Sequence, residues 1–181
     1  SAQAAWQSEG ARMPISEYIR QLREKVGQAP ILMIGVAGVV INAQGEVLLQ
    51  RRSDNGQWAL PGGALDPGEE PAEAVVREVW EETGVLVQPE RVVAIHGGED
   101  FFVRYPNGDQ AYIISITFAC RPLSGEPRVN DDESLEVRYF APDQLPPMLE
   151  RTRMRIQLAL QDDPRCQFRY TPKNGLGEER A

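Results

Sequence analysis

The chain has 181 residues, 19 basic against 27 acidic side chains for a net charge of −8, and 41% hydrophobic and 25% charged residues. That length and balance describe one globular domain with modest additions and exclude a disordered chain, which lacks the apolar side chains for a core. The longest apolar run, Ile31 to Ile41, carries two glycines and is about half the ~20 residues a membrane span requires, so membrane insertion is excluded. The acidic surface repels duplex DNA and RNA, except for a polyanion that arrives with a metal ion. Cys120 and Cys166 are too few for a disulfide framework or a zinc site. With no secretory signal, the expected setting is reducing and cytoplasmic.

In chain order, residues 1–29 read as an N-terminal extension, 30–163 as the main domain and 164–181 as a polar, partly mobile tail. Residues 1–13 are small and polar and are expected to be loosely ordered. Ser16 is an N-cap for a helix to Val26, along which Ile19, Leu22 and Val26 recur at helical spacing until Gly27 stops it. Ile31 to Ile41 and Glu46 to Arg51 read as two strands joined by the turn Asn42-Ala43-Gln44-Gly45, and this predicts a hairpin. Trp58-Ala59-Leu60 is a short strand ending at Pro61-Gly62-Gly63. Glu69 to Thr83 is helical, with Gly84 at its C-terminal stop. Strands follow at Val92 to Gly97, Phe101 to Arg104, Gln110 to Ala119 and Leu135 to Phe140, the middle pair flanking the turn Pro106-Asn107-Gly108-Asp109. Met148 to Leu160 is the last helix. This order predicts an α/β (α+β) protein with helices packed on a mixed sheet.

One stretch carries chemistry. It reads Gly63-Ala64-Leu65-Asp66-Pro67-Gly68-Glu69, then seven residues, then Arg77-Glu78-Val79-Trp80-Glu81-Glu82-Thr83-Gly84-Val85. Glu78, Glu81 and Glu82 stand at i, i+3 and i+4 on one helix, so their carboxylates share a face and repel by a few tenths of a kcal/mol per pair, roughly. They also lie near the helix C-terminus, where the dipole disfavours anions. A hard divalent cation removes that conflict, because Mg2+ takes a few carboxylates and completes its shell with water and substrate phosphate.

These residues match, at nine defined positions in register, the signature of the Nudix hydrolase family, which the chain resembles over residues 30–160. The resemblance implies an α/β/α sandwich around a mixed sheet with the signature as loop–helix–loop. It also implies a Mg2+- or Mn2+-dependent enzyme that cleaves a nucleoside diphosphate linked to another group by water attack on phosphorus. Carried over by position, Glu78 and Glu82 are the expected metal ligands, with Glu81 close behind and the Gly62 carbonyl as a further ligand. Glu69 supports the site through Arg77 or a metal-bound water, and Gly63 and Gly68 let the loop turn. For the general base the first choice is Glu78 and the second is Glu133, in the acidic loop Asp131 to Glu136.

Arg51 and Arg52 end a strand where family members place substrate-binding basic residues. His96 reads as structural. Trp58, Phe101, Phe102 and Tyr105 are candidates for stacking on a base, and aromatics in strands equally pack as core. Arg151, Arg153 and Arg155 look like a charged outer face. The proline expected of ADP-ribose hydrolases about 15 residues past the signature is absent at Glu99-Asp100-Phe101. The tyrosine expected of dinucleoside polyphosphate hydrolases is replaced by Phe101-Phe102-Val103. The substrate class therefore stays at nucleoside di- or triphosphates and nucleotide sugars, with those two as alternatives. A nucleotide-binding regulatory protein of the same fold is the competing reading. The N-terminal helix offers a surface for a homodimer.

Overall fold

The computed structural model describes residues 16–105 and 107–172. The loose order expected of residues 1–13, and of the tail beyond 172, lies outside the described residues. Helix α1, Glu17–Val26, starts at the Ser16 cap, whose hydroxyl accepts from the Ile19 amide. Eight strands follow: β1 (Ile31–Val40), β2 (Val47–Arg52), β3 (Trp58–Ala59), β4 (Gly62–Ala64), β5 (Leu86–His96), β6 (Phe102–Arg104), β7 (Gln110–Ser124) and β8 (Ser134–Phe140). Helices α2 (Pro71–Thr83) and α3 (Glu150–Leu160) complete the chain.

The strands form two sheets. One has the order β4-β1-β7-β5 with β6 also on β7, and the other the order β3-β2-β8. The only parallel pair among them is β1 with β7, so the first sheet is mixed. The predicted hairpin of the first two strands does not form. The turn Asn42 to Gly45 is present, but β1 and β2 share a single bridge, Ile41 to Val47, and then part into different sheets. Val39 and Val40 of β1 and Val47, Leu48 and Leu49 of β2 are buried in clusters on opposite faces, and separate sheets let these stretches be covered twice. The short strand β4 was not predicted; two glycines and an alanine offer no side-chain pattern.

Helix α2 covers one side, where Val75 and Val79 pack on Val36, Val40 and Phe118. Helix α3 covers the other, where Ile156 and Ala159 pack on Ala37, Val39, Leu49 and Val93. Each of these fully buried valines contributes roughly 1.5–3 kcal/mol relative to exposure. The result is the expected α/β/α arrangement. Helix α1 is attached by Ile19 and Leu22 on a third cluster and by Arg23, whose guanidinium donates to the Gln110 carbonyl at 2.6 Å. The tail is not free in its described part: Gln167 exchanges backbone hydrogen bonds with β5, and Arg169 pairs with Asp100.

Candidate active site

Helix α2 begins at Pro71, inside the predicted span, because proline supplies the fixed φ and lacks the amide that a first turn cannot use. Gly84 closes it in the left-handed region, with φ 71°. Val75, Val79 and Glu82 fall at i, i+4 and i+7, so the buried stripe of the helix ends in a carboxylate. Glu82 is 1% exposed. Its Oε2 accepts from Gln50 Nε2 at 2.6 Å and from the Gly62 amide at 2.9 Å, while its Oε1 is buried without a partner. Burial, and then the charge of Glu78, push its carboxyl well above the usual carboxylate range.

Gln50 is itself held, its Oε1 accepting from the Ser134 hydroxyl. Ser134 reaches it through a bulge: Arg51 pairs with Glu136 but Arg52 with Ser134, so Leu135 is ejected. Leu135 is 51% exposed, whereas Ser134 is buried on the inner face beside Gln50 and Arg52. Bulges of this kind re-aim a strand next to an active site.

Arg77 joins the remaining carboxylates. Its Nε and Nη2 donate to the two oxygens of Glu69 at 2.6 and 3.1 Å, and its Nη1 to Glu78 at 2.8 Å and Glu81 at 3.2 Å. Such charge-assisted pairs are roughly twice as strong as neutral ones. Arg77 holds Glu69 below its ordinary value, and Glu69 in turn accepts from the Asp66 amide, which closes the loop. Burial nevertheless pushes Glu78 up to about 7, against the pull of Arg77.

One glycine gives the Glu78 carboxylate its room and another lets β4 lie close against β1. A Cβ on Gly63 would stand 2.5 Å from the Glu78 carboxylate. A Cβ on Gly62 would stand 2.1 Å from the Val36 carbonyl oxygen and 2.8 Å from the Ala37 Cα, both backbone atoms that cannot yield. Gly62→Ala is therefore expected to displace β4 and cost about 1–3 kcal/mol or more, read as a loss of Tm accompanied by loss of activity.

The loop before β8 faces the same centre. Burial and then Asp131 raise Glu133, and the charge of Glu133 contributes to the upward shifts of both Glu78 and Glu82. Glu136 is turned away and pairs with Arg51 at 3.5 Å. Of the two strand-end arginines, Arg52 points inward, forks onto both oxygens of Asp54 at 3.0 and 2.7 Å and lines a pocket beside Gly62, while Arg51 lies on the opposite face of β2. The aromatics pack: Trp58 edge-on to Phe140, Phe102 on Tyr112, and Phe101 buried against His96. Burial lowers the His96 pKa, and its ring stacks on Phe101 at 5.8 Å.

The charged outer face expected of α3 is wrong for two of its three arginines. Arg151 and Arg155 line the Gly62 pocket. At i and i+4 they flank the buried stripe Thr152, Ile156 and Ala159, a spacing that by itself does not separate them from a solvated margin. Gln50 and Ser134 were also missed. Gln50 alternates with Leu48 on the inner face of β2, which marks it as buried, but nothing in the sequence indicates the bulge.

Among the described residues no group of three or more His, Cys, Asp or Glu side chains is arranged to hold a metal ion, and Arg77 engages Glu78 and Glu81. The donor set is nonetheless all hard carboxylate oxygen, and the unpartnered Glu82 Oε1 is an acceptor that the protein leaves unused. Those two features fit a hard divalent cation. A model of the NUDIX domain matches residues 31–160, which include every residue of this centre. The chain belongs to the Nudix hydrolase family. It is 37% identical over 128 residues to a MutT-like protein of Streptomyces ambofaciens, covering 71% of this chain and 75% of that one. An ADP-ribose pyrophosphatase of Methanocaldococcus jannaschii is 36% identical over 110 residues, covering 59% of this chain and 61% of the relative. Among solved structures, an ADP-ribose pyrophosphatase from Streptococcus suis superposes with a TM-score of 0.61 at 28% identity, over 74% of this chain and 96% of that one. As a Nudix hydrolase the chain is an enzyme acting on the diphosphate bond of small nucleotide substrates, in a family that generally uses divalent metals. No helix among the described residues is long and apolar enough to cross a membrane.

Proposed function

We propose that residues 30–163 form the catalytic unit of a Mg2+- or Mn2+-dependent hydrolase, and that its substrate is a nucleoside di- or triphosphate or a nucleotide sugar. The observation that carries this reading is Glu82, a carboxylate placed in the core with one oxygen committed to Gln50 and Gly62 and the other to nothing. Glu78, Glu82 and Glu81, with the Gly62 carbonyl, would hold the cation. When bound, it would neutralise phosphate oxygens and acidify the attacking water. The water oxygen bonds to phosphorus, the bridging P–O bond breaks with its electron pair leaving on the departing phosphate, and a carboxylate takes the water proton. Glu78 is the first choice for that base and Glu133 is the second, both carboxylates whose charge reaches Glu82. Arg77 positions Glu69, Glu78 and Glu81, and Arg52 is the better placed of Arg51 and Arg52 to meet substrate.

A second reading, ADP-ribose hydrolysis, is favoured by the names of two similar proteins and opposed by the missing proline near residues 99–101. The test is release of phosphate or pyrophosphate from ribo- and deoxyribonucleoside di- and triphosphates, nucleotide sugars, ADP-ribose and dinucleoside polyphosphates, with and without Mg2+ or Mn2+. Metal-dependent turnover of one class is expected. Tight nucleotide binding with no turnover would establish the regulatory reading instead. A cytoplasmic location and a homodimer remain part of the proposal. The face bearing exposed Leu32 and Ile34 of β1 supports the dimer, and sedimentation equilibrium reads it.

A further inference from the structure

Beside the carboxylate centre, and sharing Gly62 with it, lies a narrow pocket of about 50 Å3. Its lining includes Leu60, Phe101 and Ile113 and the three arginines Arg52, Arg151 and Arg155 but no acidic residue. Arg52 is answered by Asp54. The other two are not. Arg155 donates to the backbone oxygen of Arg151 at 3.1 Å and, at 3.4 Å, to the Ser115 hydroxyl; Arg151 donates to the Asp100 carbonyl and lies over the Phe101 ring at 5.5 Å. Neither forms an ion pair with a carboxylate among the described residues. Burial, and then the charge of Arg151, lower Arg155 to about 10. Arg151 feels the charge of Asp100, which is itself paired with Arg169, whereas Arg155 has, among the described residues, only the cation Arg151 beside it, a costly arrangement in a buried pocket unless an anion joins them.

The size of the pocket restricts what that anion is. A benzene ring takes a cavity of ~150 Å3, so this space suits a single phosphate or carboxylate, while a wider cavity opens beside it at Phe101 and Arg151. The diphosphate to be cleaved belongs to the carboxylates of α2, while these arginines come from α3 on the other side of the sheet. We propose that Arg155 and Arg151 bind a second anionic group of the substrate, a phosphate or carboxylate separate from the diphosphate that is hydrolysed. This deepens the hydrolase reading and rests on it for the word substrate, but the pocket is testable alone.

The kinetic test compares matched pairs: ADP-ribose with its 2′-phosphate, and UDP-glucose with UDP-glucuronate. The expected result is a preference of about tenfold or more in kcat/KM for the anionic member of one pair, which identifies phosphate or carboxylate as the group read. In Arg155→Gln that preference ratio falls toward one, and Arg155→Lys restores part of it. A ratio near one in wild type, or a ratio that Arg155→Gln leaves unchanged because both members lose equally, overturns the proposal. The second test needs no turnover. With chelator present, about 50 mM phosphate or acetate, against chloride at equal ionic strength, is expected to raise Tm by about 2–4 °C in wild type and not in Arg155→Gln. No shift from either anion in wild type overturns the pocket assignment. A shift that depends on Arg155, in a protein that hydrolyses nothing, sinks the hydrolase reading and leaves the anion pocket standing.

Discussion

Glutamine in place of Glu82 is expected to lower kcat by about 10³-fold or more while the metal-free protein melts no lower than wild type. The two halves of this result have separate causes. Glu82 Oε2 alone accepts from both Gln50 and Gly62. A glutamine carbonyl oxygen in that place keeps both hydrogen bonds, so β4 and the Gln50–Ser134 link stay where they are. The new amide nitrogen replaces Oε1, the oxygen with no partner in the protein, and a donor there cannot ligate a cation. Loss of a ligand that positions the metal costs several kcal/mol of transition-state stabilisation, and each factor of ten is about 1.4 kcal/mol. Removing a buried carboxylate also removes its desolvation penalty, so Tm in chelator is unchanged or higher, most clearly at pH 8. Steady-state kinetics beside differential scanning calorimetry decide the matter. Full activity in Glu82→Gln would remove Glu82 from the metal site.

The second large effect is the pH dependence of stability without metal. Burial raises Glu78 from 4.5 to about 7 in the folded protein and raises Glu82 in the same direction. Across that interval the folded state holds protons that the unfolded state has released, so raising the pH favours unfolding. For Glu78 the loss amounts to up to about 3 kcal/mol between pH 4.5 and 8. His96 works the other way: its lowered pKa makes stability rise with pH until its ordinary value of 6.5 is passed. The larger part of the Glu78 decline falls between pH 4.5 and 6.5, where His96 opposes it, and the remainder is unopposed from pH 6.5 to 8. Below pH 4.5, Glu69, held low by Arg77, adds a fall in the acid direction. Cation binding displaces the same protons, so added Mg2+ is expected to raise Tm more at pH 8 than at pH 6. A metal-free Tm that is flat or rising from pH 6.5 to 8 would mean that Glu78 and Glu82 are already ionised, and the reading of the centre would fail.

The centre divides along a physical line between what is local and what is not. Glu78, Glu81, Glu82 and Arg77 were legible because they share one helix, whose geometry is set by its own hydrogen bonds and by the apolar stripe of Val75 and Val79. Their spacing alone places them together, and the loop from Gly63 to Glu69 is tied to them by the short reach of Arg77. Most strands were legible for the same reason, as alternation or apolar runs read over a few residues. The ends of β5 and β7 ran further than expected, since long pairing partners extend each other past weak local signals.

What crosses between elements was not legible. Which sheet β2 joins is decided by burial of both its faces, a sum over the whole core that no turn sequence encodes. The bulge at Leu135 depends on the register of β8 against β2 and brings Ser134 to Gln50, and Gln50 to Glu82. Arg151 and Arg155 read as solvated charge because their helix periodicity places them only at the margin of the buried stripe. Packing of α3 over β1 and β7 is what turns that margin into the wall of a pocket. The sequence by itself thus determined the family and the grouping of the carboxylates, because both reside in one helix and the loop before it. The second charge centre beside Gly62 was decided only by the tertiary structure, because it is assembled from strands and a helix up to about a hundred residues apart, brought together by burial of apolar surface.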